Sequence, residues 1–157
     1  MKYIQFILAL LFICLLACKS ATEYNQADLP TENHINVDGV TFTLSLPKDT
    51  FKSIELLKGR FTVINGTSTT LTYYFANIQQ LGFELVNAGG IIVLAQPFIV
   101  APTVSSLQLV PGEYKVYSIV STFVNYDGIR VLPGRYILKA YLLDHNSPEL
   151  SINLTIR

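Results

Sequence analysis

The feature that most constrains the fold of this chain is a series of short segments in which apolar and polar residues alternate, separated by turn residues. Val40–Leu46, which reads VTFTLSL, alternates almost perfectly, and Pro47 follows it. Strict alternation is typical of a β-strand that buries one face. Further strands are predicted at residues 54–64, 71–75, 82–86, 91–94, 107–109, 114–124, 136–143 and 150–156.

These segments together predict an all-β fold. Turn signals such as Asn65-Gly66 and Asp127-Gly128 separate them, and no segment after residue 39 carries the apolar stripe of an amphipathic helix. The NAGG sequence at 87–90 lies between two strands, as the loop of a hairpin would. We therefore expect an Ig-like antiparallel β-sandwich of about seven to nine strands.

The N-terminus has the layout of a secretory signal. Lys2 precedes an apolar run over residues 4–17 that only Gln5 interrupts, and the run ends in Leu-Leu-Ala before Cys18. Such a run is too short to span a bilayer comfortably. The Leu-Leu-Ala-Cys ending resembles the lipobox of bacterial lipoproteins. An ordinary signal peptide with an incidental cysteine, or an uncleaved anchor helix, remains the alternative.

The lipoprotein resemblance implies a location. Cys18 would be diacylated on sulfur, residues 1–17 would be removed, and the new amino group would be acylated. The mature domain would then be extracytoplasmic, in the cell envelope, and lipid-anchored to a bacterial membrane, the outer one if the cell is Gram-negative. Residues 18–38 are polar and contain Pro30, so we expect a flexible tether there and the sandwich at 39–157.

Composition excludes several classes of function. Without Lys2 the chain has ten basic residues against eleven acidic ones, which argues against a nucleic-acid partner. Cys14 would leave with the signal and Cys18 would be acylated, so no cysteine is left for a disulfide or a metal site. We expect no metal and no cofactor.

Three segments carry a family resemblance: residues 83–93 (FELVNAGGIIV), 109–114 (LVPGEY) and 132–140 (LPGRYILKA). Their order resembles the Ig-like domain of the BsuPI (intracellular proteinase inhibitor) family, over about residues 51–143. The resemblance implies an Ig-like sandwich and, as one possible activity, inhibition of a protease.

Two of these segments contain turn residues with a structural role. Pro111 restricts φ, Gly112 tolerates a positive φ, and the Glu113 carboxylate can accept backbone hydrogen bonds. Pro133 and Gly134 make a similar turn before the next strand. Tyr136 begins that strand, where its hydroxyl can bond back to the preceding connection as a tyrosine corner.

No sequence pattern points to catalysis. His34 lies in the predicted tether and His145 in a polar turn, and no Gly-x-Ser-x-Gly elbow accompanies them. A spatial pair of carboxylates for glycoside hydrolysis stays open at this point. We expect a protein that is not an enzyme and has no catalytic residues.

Binding has two candidate locations. The apolar segment at 96–104 is bracketed by prolines that would preorganise it for docking, although it could equally pack into the sandwich. Its candidate contact residues are Gln96, Pro97, Phe98, Ile99, Val100 and Pro102. The second location is a set of aromatic residues that could be partly exposed, namely Tyr73, Tyr74, Phe75, Tyr114, Tyr117, Phe123 and Tyr126.

The sequence thus favours a non-enzymatic, membrane-anchored lipoprotein whose domain binds another protein in the cell envelope, a protease being one possible partner. Two alternatives stay open: a structural or assembly subunit of an envelope complex, and a carbohydrate-binding module. Assembly predicts a long uncovered edge strand or an apolar patch. Inhibition predicts an exposed 96–104 loop.

Overall fold

The computed structural model describes residues 31–98, 103–144 and 147–157, and these residues form eleven β-strands. The strands are β1 (Thr31–Val37), β2 (Val40–Leu46), β3 (Thr50–Phe51), β4 (Leu56–Asn65), β5 (Leu71–Phe75), β6 (Leu81–Asn87), β7 (Ile92–Gln96), β8 (Ser105–Leu109), β9 (Tyr114–Thr122), β10 (Gly134–Leu142) and β11 (Leu150–Ile156).

The strands form a sandwich, which confirms the predicted all-β class. One sheet has the order β1-β2-β4-β9, the second β3-β11-β10-β6-β7, and a separate pair joins β5 to β8. All neighbouring strands run antiparallel except the short pair β3–β11. The hairpin predicted around residues 87–90 is present as β6–β7.

The core lies between the two large sheets and follows from the alternation in the sequence. In β2 the buried residues are Val40, Phe42, Leu44 and Leu46, and the residues between them face outward. In β11 the buried positions alternate in the same way. Each fully buried aliphatic or aromatic side chain contributes about 1.5–3 kcal/mol, so the two inner faces hold the sheets together.

One domain boundary differs from the prediction. Residues 31–37 form strand β1, so within the described residues the predicted tether of 18–38 is wrong from Thr31 onward. β1 pairs with β2 through a two-residue turn in which Asp38 has φ 51° and Gly39 has φ 84°. Two positive φ values are typical of the type I′ hairpin turn, and Asp-Gly is a preferred sequence for it.

The strand count also exceeds the expected seven to nine, and β1 and β3 account for the difference. The sequence of β1, TENHINV, has no clean alternation because six of its seven residues are exposed. β3 has only two residues, which is too short for a periodic pattern. His34 lies on β1 and is exposed, as expected for a solvated side chain.

The strand registers define two ends of the sandwich. Thr31 pairs with Leu46, and Leu56 with Thr122, so these strand ends lie together at what we call the Thr31 end. In the other sheet, Gly134 pairs with Ile156 at that end, and the loop between β6 and β7 lies there as well. The β1–β2 turn lies at the opposite end, which we call the Gly39 end.

The predicted turn motifs are formed as structural devices. Glu113 N–H donates to the Val110 carbonyl at 3.0 Å across Pro111-Gly112, with Gly112 at φ 79°. The Glu113 carboxylate in turn accepts the Val110 N–H at 2.9 Å. Pro at the second and a positive-φ Gly at the third position are typical of a type II turn.

The tyrosine corner is present at the other motif. The Tyr136 hydroxyl donates to the Leu132 carbonyl at 2.7 Å, across Pro133-Gly134. Gly134 lies against the Tyr136 ring, so that a Cβ there would be 3.4 Å from the ring edge. This distance is an ordinary van der Waals contact.

Candidate functional site

A groove opens along the side of the sandwich where an edge strand of each large sheet is found. We call it the β7–β9 groove. Its volume is about 450 Å³. It is lined by Ile78–Leu81 and Phe83 before and within β6, by Gln96 and Pro97 at the end of β7, and by Lys115–Ser118 of β9.

Hydrogen bonds fix the floor of the groove. The Tyr117 hydroxyl donates to the Gln80 side-chain oxygen at 2.7 Å. The Gln80 amide nitrogen donates to the Ser106 carbonyl at 3.2 Å, and the Ser105 hydroxyl donates to the Asn77 carbonyl at 2.7 Å. These bonds join β9, the β5–β6 connection and β8, which are distant in sequence.

Two side-chain oxygens at the same connection have no hydrogen-bond partner among the described residues, Asn77 Oδ1 and Gln79 Oε1. Both atoms are buried, and Gln79 lines the groove. A buried acceptor without a donor costs free energy. A ligand that brings N–H or O–H donors into the groove would offset this free-energy cost.

The tyrosines of the groove suit binding rather than proton transfer. Burial, assisted by the neighbouring Tyr73, raises the pKa of Tyr117 to about 12. Burial and, to a lesser extent, the charge of Asp144 raise the pKa of Tyr73. Both hydroxyls therefore keep their protons at neutral pH. The Tyr117 proton is donated to Gln80, so toward a ligand this hydroxyl can act as an acceptor.

The described part of the predicted binding loop borders this groove. Gln96 and Pro97 are half-buried and line it, whereas Phe98 is 40% exposed. The Phe98 ring packs edge-on against Tyr126 with 5.8 Å between centroids. Ile99, Val100 and Pro102 lie outside the described residues.

Strand β9 provides the other wall. It has nine residues and, within the part of the chain that the structure describes, its backbone pairs with β4 alone. Its outward-facing residues include the exposed apolar side chains of Tyr114, Val116 and Val120. An edge strand of this length can accept another strand, and Lys115 is the charged residue at its start.

The aromatic residues do not gather on one surface. Phe75 and Phe123 are in the core, and Tyr73 and Tyr117 are half-buried. Of the exposed tyrosines, Tyr74 is on β5, Tyr114 begins β9 and Tyr126 follows the end of β9, about 30 Å of strand from Tyr114. The tyrosines thus do not form the single stacking platform that a sugar-binding face would use.

In residues 31–98, 103–144 and 147–157, no group of three or more His, Cys, Asp or Glu side chains is placed to hold a metal ion. In the same ranges no helix has the length and apolar character of a membrane span. Cys18 and His145 lie outside the described residues.

Comparisons with known proteins add little to the geometry. No model of a known protein family and no curated protein matches this chain. Similar solved structures include a β-glucosidase from Erythrobacter marinus (15% identity, TM-score 0.48, 82% of this chain and 16% of the other). A Listeria innocua β-glucosidase has 14% identity and a TM-score of 0.47, over 82% of this chain and 16% of the other. The C-terminal domain of wzt has 11% identity and a TM-score of 0.47, over 83% of this chain and 81% of the other.

None of these likenesses supports an inference about function, because every TM-score is below 0.5 and identities are low. The chain spans only 16% of the length of the β-glucosidases. The resemblance to the BsuPI family stays a prediction from the sequence, and the site rests on the residues of this chain.

Sequence reasoning missed most of the groove. Ile78, Gln79, Gln80 and Tyr117 were not singled out as a site, although Tyr117 was named among the aromatics. Gln80 and Tyr117 are 37 positions apart, so only the fold brings them together. The one available signal was the polar stretch NIQQ at 77–80, which precedes a strand without typical turn residues.

Proposed function

We propose that this protein is a lipid-anchored, non-enzymatic module of the bacterial cell envelope that binds a segment of another protein in the β7–β9 groove. The observation that carries the proposal is the coincidence of three features at one place. Gln96 and Pro97 of the predicted binding loop, the long edge strand β9 and the unpartnered buried oxygen of Gln79 all meet at this groove.

An extended peptide fits this combination of groups. The outer edge of β9 can pair with the backbone of an added strand, which is a common mode of peptide recognition. The oxygen of Gln79, which lines the groove, can accept a donor that such a peptide brings. Val116 and Pro97 supply apolar contact at the two walls.

Inhibition of a protease is one specific form of this function. It is supported by Gln96 and Pro97 of the predicted binding loop, which line the groove, because a loop that proline preorganises loses less entropy on binding. Assembly with an envelope subunit is the second form. It is favoured by the uncovered length of β9, the feature that strand pairing between proteins requires.

Photocrosslinking in the native host tests the proposal. A photoreactive phenylalanine analogue is placed at Val116 or at Phe98, and a matched control variant carries it at Ile35, which is exposed on β1 at the opposite edge of the sheet from β9. We expect positions 116 and 98 to crosslink to the same envelope protein and position 35 to crosslink to none.

The identity of the captured protein separates the two forms. A protease whose activity falls on addition of the purified domain supports inhibition, and a non-enzymatic subunit supports assembly. Absence of crosslinks at both 116 and 98, in cells where the variants are stably present in the membrane fraction, would contradict binding at the groove.

A further inference from the structure

Two loops at the Thr31 end have the same construction, Asn-x-x-Gly-Ile. They are residues 87–91 and 125–129. In the first, the Asn87 side-chain oxygen accepts the Ile91 N–H at 2.9 Å, and Gly90 has φ 78°. In the second, the Asn125 side-chain oxygen accepts the Ile129 N–H at 2.8 Å, and Gly128 has φ 77°.

Both loops hold an isoleucine out of the core. Ile91 is 64% exposed and Ile129 is 63% exposed. Two further aliphatic residues at the same end are still more exposed, Ile54 at 80% and Leu132 at 74%. Ile129 and Leu132 also line one shallow depression with Ile92. Exposed aliphatic tips gathered at one end indicate a surface that meets an apolar partner.

Cations concentrate at this end as well. Of the nine Lys and Arg residues in the described ranges, six lie in or next to the loops of this end. Of the nine Asp and Glu residues in the same ranges, four lie there. The six are Lys48, Lys52, Lys58, Arg130, Arg135 and Arg157. A depression of about 790 Å³ beside them is lined by Lys48, Lys58 and Arg60. Lys48 is paired with Glu55 at 2.8 Å, so five cations and three acids at this end remain outside that pair, and the surface keeps an excess of positive charge.

The chain enters the sandwich at the same end. Thr31 begins β1 there, and twelve residues separate it from Cys18. Whatever their conformation, these residues span at most about 45 Å. The ten residues of β4 add about 33 Å between the two ends. An anchor at Cys18 thus holds the Thr31 end within about 45 Å of the lipid. Because this reach exceeds the length of β4, the orientation rests on the apolar tips and the cations and not on the linker.

We infer that the Thr31 end is a membrane-contacting surface, with the tips of Ile54, Ile91, Ile129 and Leu132 in the headgroup region of an anionic bilayer and the surrounding cations on its phosphates. Aliphatic tips supply buried apolar area and the cations supply attraction to anionic lipid. This inference rests on the lipid anchor of the proposed function. It would leave the β7–β9 groove, on the side of the sandwich, open to a partner.

Tryptophan fluorescence tests the orientation, because the chain contains no tryptophan. The native lipoprotein carries a single introduced Trp at Ile91→Trp or Ile129→Trp. The matched control is Ile78→Trp, which replaces a 54% exposed isoleucine before β6 at the Gly39 end. Each variant is reconstituted in vesicles of phosphatidylethanolamine and phosphatidylglycerol that contain lipids brominated on the acyl chains.

We expect Trp at 91 or 129 to lose roughly half of its emission to the brominated lipids, since insertion to about 5–10 Å brings it to the acyl boundary. Trp at 78 should keep its emission. Replacing both Lys58 and Arg60 by Gln should reduce the quenching at 91 and 129. Equal quenching at both ends, or none at 91 and 129, would overturn the inference.

A second arm separates this inference from the anchor. A chain that begins at residue 19 with an N-terminal histidine tag is attached to vesicles by nickel-chelating lipid, and the whole core from Val40 onward is retained. If this chain shows the selective quenching but the native protein does not float with vesicles, the orientation stands and the acyl anchor is wrong. If it shows no selective quenching, the orientation is wrong.

Discussion

Ile91 and Ile129 occupy equivalent positions in two separate loops, each donating its N–H to the side-chain oxygen of the asparagine four residues before it. The backbone of each loop is closed by an equivalent hydrogen bond. Asn87 N–H donates to the Ile91 carbonyl at 2.9 Å, and Asn125 N–H donates to the Ile129 carbonyl at 2.9 Å. The exposed positions of these isoleucines are therefore set by the loops and not by packing in the core.

Replacing the two loop isoleucines should leave the fold intact. The Ile91→Ser and Ile129→Ser variants each remove an exposed side chain, so we expect the free energy of unfolding to change by less than about 0.5 kcal/mol. Leu85→Ala, at a fully buried position, should cost about 2–5 kcal/mol. Urea unfolding followed by circular dichroism measures both. A loss of about 2–5 kcal/mol at position 91 or 129 would show instead that these isoleucines pack in the core.

The hydroxyl of Tyr136 should contribute measurably to stability. Tyr136→Phe removes its bond to the Leu132 carbonyl while the ring stays buried, and we expect a loss of about 1–2 kcal/mol. The control is Tyr114→Phe, whose hydroxyl is at an exposed position. If the two variants unfold at the same urea concentration, the tyrosine corner does not stabilise this sandwich.

Gly39 should be required for β1 to stay paired. Gly39→Ala places a side chain at φ 84° and brings its Cβ to 3.1 Å from Thr67 Cγ2. We expect a cost of about 1–2 kcal/mol and faster hydrogen exchange in Thr31–Val37 than elsewhere. Gly89→Ala, in a loop at the opposite end, should leave exchange in β1 unchanged. Rapid exchange of β1 in the unaltered protein would instead favour the tether that the sequence predicts there.

Alkaline pH should destabilise the protein through Tyr117. Its pKa is raised from 10.0 to about 12 in the folded chain, so the folded state retains a proton that the unfolded state releases. This contribution to stability is complete below pH 10 and declines as pH rises from 10 toward about 12. Burial and the hydrogen bond to Glu84 also raise the pKa of Tyr141 to about 12. Absorbance titration of tyrosinate should therefore show a late-ionising phase whose amplitude is smaller in Tyr117→Phe. Ionisation of all tyrosines near pH 10 would contradict the burial of this hydroxyl.

The strands could be predicted from sequence wherever one face is buried. The bounds of β2, β5 and β11 agree with the predicted ones because period-two alternation marks them directly. β1 could not be predicted from alternation because nearly all of its residues are exposed. The Asp38-Gly39 turn signal was nevertheless present in the sequence, and it would have located the hairpin.

The site was much less accessible to sequence reasoning. The proline-bracketed loop led to Gln96 and Pro97, which line the groove, whereas Phe98 packs against Tyr126. Asn65 illustrates why the other contacts could not be predicted. From the sequence it is identified only as a turn residue. In the structure its buried side chain donates to the Leu109 carbonyl, 44 positions away, at 2.9 Å. Such contacts depend on strand order, which alternation alone does not determine.

Both proposals place this sandwich at the surface of a membrane to which Cys18 attaches it. The most direct measurement is mass spectrometry of the mature protein isolated from the membranes of its host, covering the intact mass and the N-terminal peptide. The account predicts a chain that begins at Cys18 and carries a diacylglyceryl group on its sulfur. A mature chain with a free Cys18 thiol, or one that still contains residues 1–17, would contradict it.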